Sequence, residues 1–330
     1  MNKNVFLIVF LLIFTVSWNV FGQNVQELRV GSFLSGYLNH GQEVWYRVTT
    51  TGVGILTVET TGEIDTYLEI YDTQRNLISE NDDGEDLNAK IIILAGAGKT
   101  YLFKLKGYDT DETGPYRINA SFSAITNPNA LHINSNLSMY IENSLNHLFS
   151  VQPGSNGILT VRTSGNDVDT VMQAYDDKYN FLSENDDYDE DDINSKIDIL
   201  VKAGVNYFFT VRGFSGDDSG TYSISASLST PPELQVDSNL NGYLEVNGKN
   251  WYSVQAVRSG SLIVEISSNF DTLMEAYDEN FNLIAEDDDG GDDLNALIEI
   301  NAKAGTSYFF LVSGYGPEDS GSFRISARSR

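Results

Sequence analysis

Three tandem antiparallel β-sandwich domains, jelly-roll-like in topology, make up the all-β fold that the sequence predicts. Apolar and polar residues alternate at a period of two, and one set of motifs recurs three times at intervals of about a hundred residues. No stretch carries the apolar spacing of a helix. At 330 residues and 41% hydrophobic composition, the chain can close two or three cores.

The first segment, Met1–Gly22, has a basic start at Lys3, an apolar run from Val5 to Val16 and small residues at Val20 and Gly22. It reads as a secretory signal peptide cut after Gly22, because the run is well short of the ~20 residues that span a bilayer. No second apolar stretch follows, so no membrane span is expected in the mature chain. Domains are expected over 23–123, 124–229 and 230–330. Each opens its repeated part with "GILTVET" (Gly54), "GILTVRT" (Gly157) or "GSLIVEI" (Gly260). Next come "DTYLEIYD" (Asp65), "DTVMQAYD" (Asp169) and "DTLMEAYD" (Asp271), then the acidic runs "ENDDGEDLN" (Glu80), "ENDDYDEDDIN" (Glu184) and "EDDDGGDDLN" (Glu286). "AGKTYLF" (Ala97), "AGVNYFF" (Ala203) and "AGTSYFF" (Ala304) follow, and "GPYRINA" (Gly114), "GTYSISA" (Gly220) and "GSFRISA" (Gly321) close the units.

Within the first unit Leu56 and Val58, Leu68 and Ile70, Ile91 and Ile93, Tyr101, Phe103 and Leu105, and Tyr116 and Ile118 alternate with polar residues. Strands with one buried face are written this way. Six to eight short strands per unit, parted by Gly, Asn and Asp turns, predict a sandwich or jelly roll. The linkers "AITNPNA" (Ala124–Ala130) and "TPPE" (Thr230–Glu233) are short and stiffened by proline.

The order D-T-x-x-x-x-Y-D, N-D-D, A-G-x-x-Y-x-F, G-[YF], G-x-[YF]-x-[IL] resembles the bacterial pre-peptidase C-terminal domain family. The resemblance covers essentially the whole mature chain, three times. It implies non-catalytic extracytoplasmic β-sandwich modules, some of whose relatives bind calcium and some matrix or polysaccharide. That family usually accompanies a protease domain, and none precedes the modules in this sequence.

The chain has no cysteine, which excludes disulfides, thiolate metal sites and cysteine nucleophiles. Its net charge of −27 argues against nucleic acid, whose phosphates need clustered Lys and Arg. Of 47 acidic residues, 18 lie in the three quoted runs, so the charge calls for a local reason. If "DTQRN" turns the first hairpin, Asp65 lies opposite Asp83 or Gly84. Asp169 then lies opposite Asp187 or Tyr188, and Asp271 opposite Asp289 or Gly290. Asp72 falls roughly 23 Å away and reads as a turn residue capping its own backbone, as do Asp176 and Asp278.

Each unit thus brings one strand-start aspartate to an acidic loop closed by an asparagine. Calcium takes ~6–8 oxygen ligands from loops that can adjust, and Mg²⁺ demands a tighter octahedron. The candidate Ca²⁺ ligands are Asp65, Asp82, Asp83, Asp86 and Asn88, then Asp169, Asp186, Asp187, Asp192 and Asn194, then Asp271, Asp288, Asp289, Asp293 and Asn295. The competing reading is a set of solvated turns that keep the chain soluble. The spacing does not match an EF-hand.

His40, His132 and His147 share no repeated position and form no zinc motif, and no G-x-S-x-G is present. Trp45 and Trp251 correspond, with Leu148 between them in the series. Their parity points away from the core face, so they are expected to face outward, either covered by a loop or open to a sugar or protein partner. The function expected is a secreted or periplasmic, non-enzymatic binding or adhesion protein, stabilised by Ca²⁺, that recognises an extracellular polysaccharide or protein. Two alternatives stand beside it: an accessory subunit of a separately encoded protease, and a hydrolase using the acidic clusters.

Overall fold

The computed structural model describes residues 18–20, 23–82, 84, 87–125, 127–142, 145–188, 193–215, 218–246, 248–316 and 318–330. Strands supply all the regular structure among them, and they form six sheets paired into three sandwiches. In the first sandwich one sheet runs in the order Trp18–Val20, Gln23–Glu27, Val44–Thr49, Thr100–Gly107, Thr66–Tyr71, Leu77–Asn81. Its partner sheet runs Ser32–Leu38, Gly114–Ala124, Gly54–Gly62, Lys90–Ala95. The second sandwich repeats this order, with Asn129–Ala130 added at the edge beside His147–Val151, and the third repeats it with four strands in each sheet. The first sandwich lies in one compact unit, and the second and third share another.

Each sandwich closes its own core from the inward set of both sheets. Leu56, Val58, Leu68, Ile70, Phe103 and Ile118 are fully buried in the first, Leu159, Val161, Phe209 and Ile224 in the second, and Val264, Met274, Phe310 and Ile325 in the third. The alternation that predicts the strands therefore also assigns their buried faces. The glycine of each "AG" pair has a backbone reason. Gly98, Gly204 and Gly305 hold φ of 70°, 76° and 80° in the turn before the next strand, a conformation that costs any L side chain free energy.

Of the two readings of the outward tryptophans, covered or open, the structure has the covered one. Trp45 and Trp251 do point away from the main cores, yet they are only 7% and 8% exposed. Trp45 packs with Val25 and Leu102, against Tyr71 at 5.4 Å, beneath the Arg75 guanidinium at 5.0 Å. Trp251 lies 5.3 Å from Tyr277. The cover comes from the sheet itself: the tyrosine of Y-D two strands away, and for Trp45 the parallel strand Gln23–Glu27, which sets Val25 opposite it.

Candidate functional site

Both registers left open by the sequence occur in the hairpin that carries the first aspartate. Tyr71 pairs with Leu77 beside the turn, but past a bulge Ile70 pairs with Ser79 and Leu68 with Asn81. The same one-residue shift recurs between Ala174 and Tyr175 and between Ala276 and Tyr277. The ladder ends at Leu68 with Asn81, Met172 with Asn185 and Met274 with Asp287, three residues from Asp65, Asp169 and Asp271, so the shifted register directs each aspartate toward its acidic loop without pairing it there. At the far end, Asp72 Oδ1 accepts the Gln74 and Asn76 amides at 2.8 Å, and Asp278 Oδ1 does the same with Asn280 and Asn282. These residues cap turns.

The threonine of each D-T pair builds the frame of the acidic loop. Thr66, Thr170 and Thr272 are fully buried, and their hydroxyls accept the amides of Ala89 (3.0 Å), Ser195 (3.2 Å) and Ala296 (3.0 Å), the residues just after the closing asparagines. The loop mouth is tied twice more. Asn81 Oδ1, Asn185 Oδ1 and Asp287 Oδ2 accept the amides of Lys90, Lys196 and Leu297 at 2.7–2.8 Å. The carbonyls of Asn88, Asn194 and Asn295 accept the amides of Gly84, Tyr188 and Gly291 at 2.6–2.8 Å.

The closing asparagines also have structural duties. Asn194 Nδ2 donates to the Gly165 carbonyl at 3.0 Å, and Asn295 Oδ1 accepts from both the amide and the hydroxyl of Ser268 at 2.8 Å. Within this frame Asp187, Asp289 and Asp293 are exposed, and Asp82, Asp186 and Asp288 are half-buried. Asp83, Asp86 and Asp192 lie outside the described residues.

A further carboxylate comes from the second loop of each unit, "DETG" (Asp111), "DDSG" (Asp217) and "EDSG" (Glu318), whose residue types by themselves signal only a tight turn. Glu112 Oε2 accepts the Asp65 amide at 3.4 Å. Asp218 Oδ2 accepts the Ser215 amide at 2.6 Å, and Asp319 Oδ2 accepts the Gly316 amide at 2.7 Å. These acids explain the glycine of the G-[YF] motif. A Cβ on Gly107, Gly213 or Gly314 would lie 2.5–2.6 Å from the Cβ of Glu112, Asp218 or Asp319. The recurrence of "DETG", "DDSG" and "EDSG" was the available signal; only the fold shows that it converges on the first aspartate.

The electrostatics follow from this convergence. Burial, and then the charges of Asp187, Asp218 and Asp186, push the Asp169 carboxyl up to about 6. The Asp271 carboxyl is raised in the same direction by desolvation and then by Asp319, Asp288 and Asp289. Asp169 Oδ1 and Asn88 Oδ1 are buried and accept no hydrogen bond. Among the described residues, no three acidic or histidine side chains close around a single point as they stand.

Fold and site together define β-sandwich modules that gather carboxylates from two loops at one end. No family model matches the chain, and no curated protein matches it. Among solved structures it is similar to the pre-peptidase C-terminal domain of a collagenase from Bacillus anthracis, with 13% identity over 30% of this chain and 96% of that one and a TM-score of 0.27. It is also similar to PliG, a periplasmic inhibitor of g-type lysozyme from Aeromonas hydrophila (15% identity, 30% and 97% covered, TM-score 0.25). A third is CorA, a surface-associated copper-binding protein of Methylomicrobium album BG8 (9% identity, 30% and 98% covered, TM-score 0.23). At these scores none of their ligands or activities carries over to this chain.

Proposed function

We propose that this chain is an extracytoplasmic, non-catalytic binding protein whose sandwiches present calcium-organised acidic loops to an extracellular polymer or protein. The observation that carries the reading is the gathering of carboxylates from a strand base and two separate loops at the same end of each sandwich, with Asp169 held near 6 by burial and its neighbours. Carboxylates gathered this closely repel one another unless a proton or a cation sits among them. Asp65, Asp82 and Glu112 would hold the ion in the first unit, Asp169, Asp186, Asp187 and Asp218 in the second, and Asp271, Asp288, Asp289 and Asp319 in the third. Asp83, Asp86, Asp192 and Asp293 are further donors in the same runs. The fit is to a hard cation served by oxygen, and the adaptable loops suit calcium better than magnesium. A bound ion would contribute order and charge neutralisation.

Thermal unfolding of the mature protein with calcium, with magnesium and with a chelator tests the ion. At 100 times its dissociation constant, calcium should add ~2.7 kcal/mol per site. Melting that is unchanged in millimolar calcium leaves only the solvated-turn reading.

A further inference from the structure

The same end of each sandwich carries large apolar side chains that the fold leaves largely exposed. Leu87, Ile193 and Leu294, each just before the closing asparagine, are 52%, 39% and 56% exposed. Tyr108, Phe214 and Tyr315, each just after the glycine of the second loop, are 54%, 59% and 63% exposed. Backbone hydrogen bonds fix both positions on the same Asp–Thr pair. The amides of Thr66, Thr170 and Thr272 donate to the carbonyls of Leu87 (3.0 Å), Ile193 (3.1 Å) and Leu294 (3.1 Å). The amides of Tyr108, Phe214 and Tyr315 donate to the carbonyls of Asp65 (3.2 Å), Asp169 (3.1 Å) and Asp271 (3.2 Å). An aliphatic and an aromatic residue therefore flank the carboxylate end of all three sandwiches.

Apart from one ring contact, Tyr108 with Tyr67 at 6.4 Å, folding gives no reason for this choice. The bonds that hold these residues are made by the backbone, so any side chain would satisfy them, and half-exposed apolar groups gain little from burial. A nearby position differs among the units: Lys106, Arg212 and Ser313 occupy one equivalent place. An exposed apolar pair that recurs at one end, rimmed by charge, has the composition of an interaction surface.

We propose that this end of each sandwich is a docking patch for a basic, amphipathic polypeptide segment: the aliphatic–aromatic pair takes an apolar side chain, and the surrounding carboxylates take the neighbouring Lys or Arg. The inference rests on the binding-protein reading above, but not on calcium. Charge complementarity selects the partner. In the third sandwich Asp271, Asp288, Asp289, Asp292, Asp293 and Asp319 belong to the loops that hold Leu294 and Tyr315, and the place filled by a cation in the other units is Ser313. The cations of the other units are already engaged. Lys106 lies 3.2 Å from Glu69 and over the Tyr67 ring, and Arg212 donates to the carbonyls of Gly213 and Phe214. An anionic lipid surface would be repelled from such an end, and a neutral glycan would leave its charge unmatched.

The test uses the full mature chain and a short synthetic peptide of Lys and Leu in amphipathic order. Oligolysine of equal charge, phosphatidylserine vesicles and dextran serve as comparison probes. One variant combines Tyr108→Ser, Phe214→Ser and Tyr315→Ser. A control combines Tyr37→Ser, Tyr140→Ser and Tyr243→Ser, tyrosines 57% exposed on an edge strand of the other sheet.

The amphipathic peptide should bind wild type and weaken about tenfold or more in the patch variant, the scale of truncating an interface aromatic. It should bind the control like wild type, and the weaker binding of oligolysine should be equal in all three proteins. Equal peptide binding by patch variant and wild type overturns the proposal, as does an absence of peptide binding. A loss confined to vesicles or to dextran also overturns it and assigns the patch to that partner. The calcium shift in melting temperature, read on the same patch variant, separates the two claims. A normal shift with patch-independent peptide binding sinks docking alone, and no shift with patch-dependent binding sinks calcium alone.

Discussion

Replacing Asp169 by asparagine should stabilise the cation-free protein at neutral pH and destabilise the calcium-loaded one. Burial and three neighbouring aspartates raise the folded-state carboxyl to about 6, against about 3.9 in an unfolded chain. The folded state therefore holds the proton more tightly. Without a divalent ion, stability falls as pH rises from the unfolded value through the folded one. A shift of about two units corresponds to about 3 kcal/mol. Asp169 is partly open to water, and screening brings the usable figure down to about 1 kcal/mol. Asp169→Asn removes the ionisation, so in a chelator at pH 7 the variant should melt ~2–4 °C above wild type, for a cooperative unit of roughly 200 residues. At pH 4 in chelator most of the difference should vanish. In millimolar calcium the sign should invert, because wild type gains an ion for which the variant lacks a charged ligand. Melts at pH 4, 5.5 and 7, each with chelator and with calcium, read all of this. A variant less stable than wild type at pH 7 in chelator would refute the repulsion, and an unchanged sign in calcium would refute Asp169 as a ligand.

Thr272→Val should cost ~1–3 kcal/mol in urea unfolding, because the buried Ala296 amide loses the hydroxyl that it reaches at 3.0 Å. Gly204→Ala should cost about 1 kcal/mol through its φ of +76° alone, since nothing lies within 4 Å of the added Cβ. Gly154→Ala, equally open and without that φ, should be neutral. Lys104→Met should destabilise the first sandwich by ~1–3 kcal/mol at pH 7, leaving Lys106 as the cation beside Glu69, which is 5% exposed. Burial alone would raise the Glu69 carboxyl, but bonds from Lys104, Tyr71 and Lys106 outweigh it and hold it low. The stability that Glu69 contributes is present above the ordinary Glu range and is lost as pH falls through its depressed folded value. The gap between Lys104→Met and wild type should therefore narrow in acid, and a gap that widens there would exclude the ion pair as its cause.

The faces of the strands were legible because a period of two fixes them: Leu68 and Ile70, or Phe103 and Leu105, could lie only on one side. The register of the hairpin that leads to Asp65 was legible to within one residue. What decided between the two registers was the bulge between Ile70 and Tyr71, an irregularity with no distinct residue signal. Two features escaped because they depend on contacts distant in sequence. Glu112, Asp218 and Asp319 reach the site only once the strands from Thr100, Tyr207 and Ser307 pair beside the aspartate strands. The indoles of Trp45 and Trp251 are covered by Tyr71 and Tyr277, which parity alone places on the same face but not in contact.

Solubility and binding make different demands on how acids are distributed, and the loop frame bears on both. Its ties are made by the hydroxyls of Thr66, Thr170 and Thr272, by the side-chain oxygens of Asn81 and Asn185, and by the carbonyls of the closing asparagines. Of the acids, Asp287 takes part in that mouth. The frame tolerates a longer loop between Tyr188 and Asn194 than between Gly84 and Asn88 with the same closing bond. A chain that needed only solubility would do best with its acids apart, since gathered charge destabilises the compact state. Here acids from a strand base and two loops are brought together in each sandwich, and burial, with the neighbouring charges second to it, raises the carboxyls of Asp169 and Asp271. On the proposed reading, a cost repeated in this way at one end, beside exposed apolar side chains, is offset by a positive charge that arrives from outside the chain.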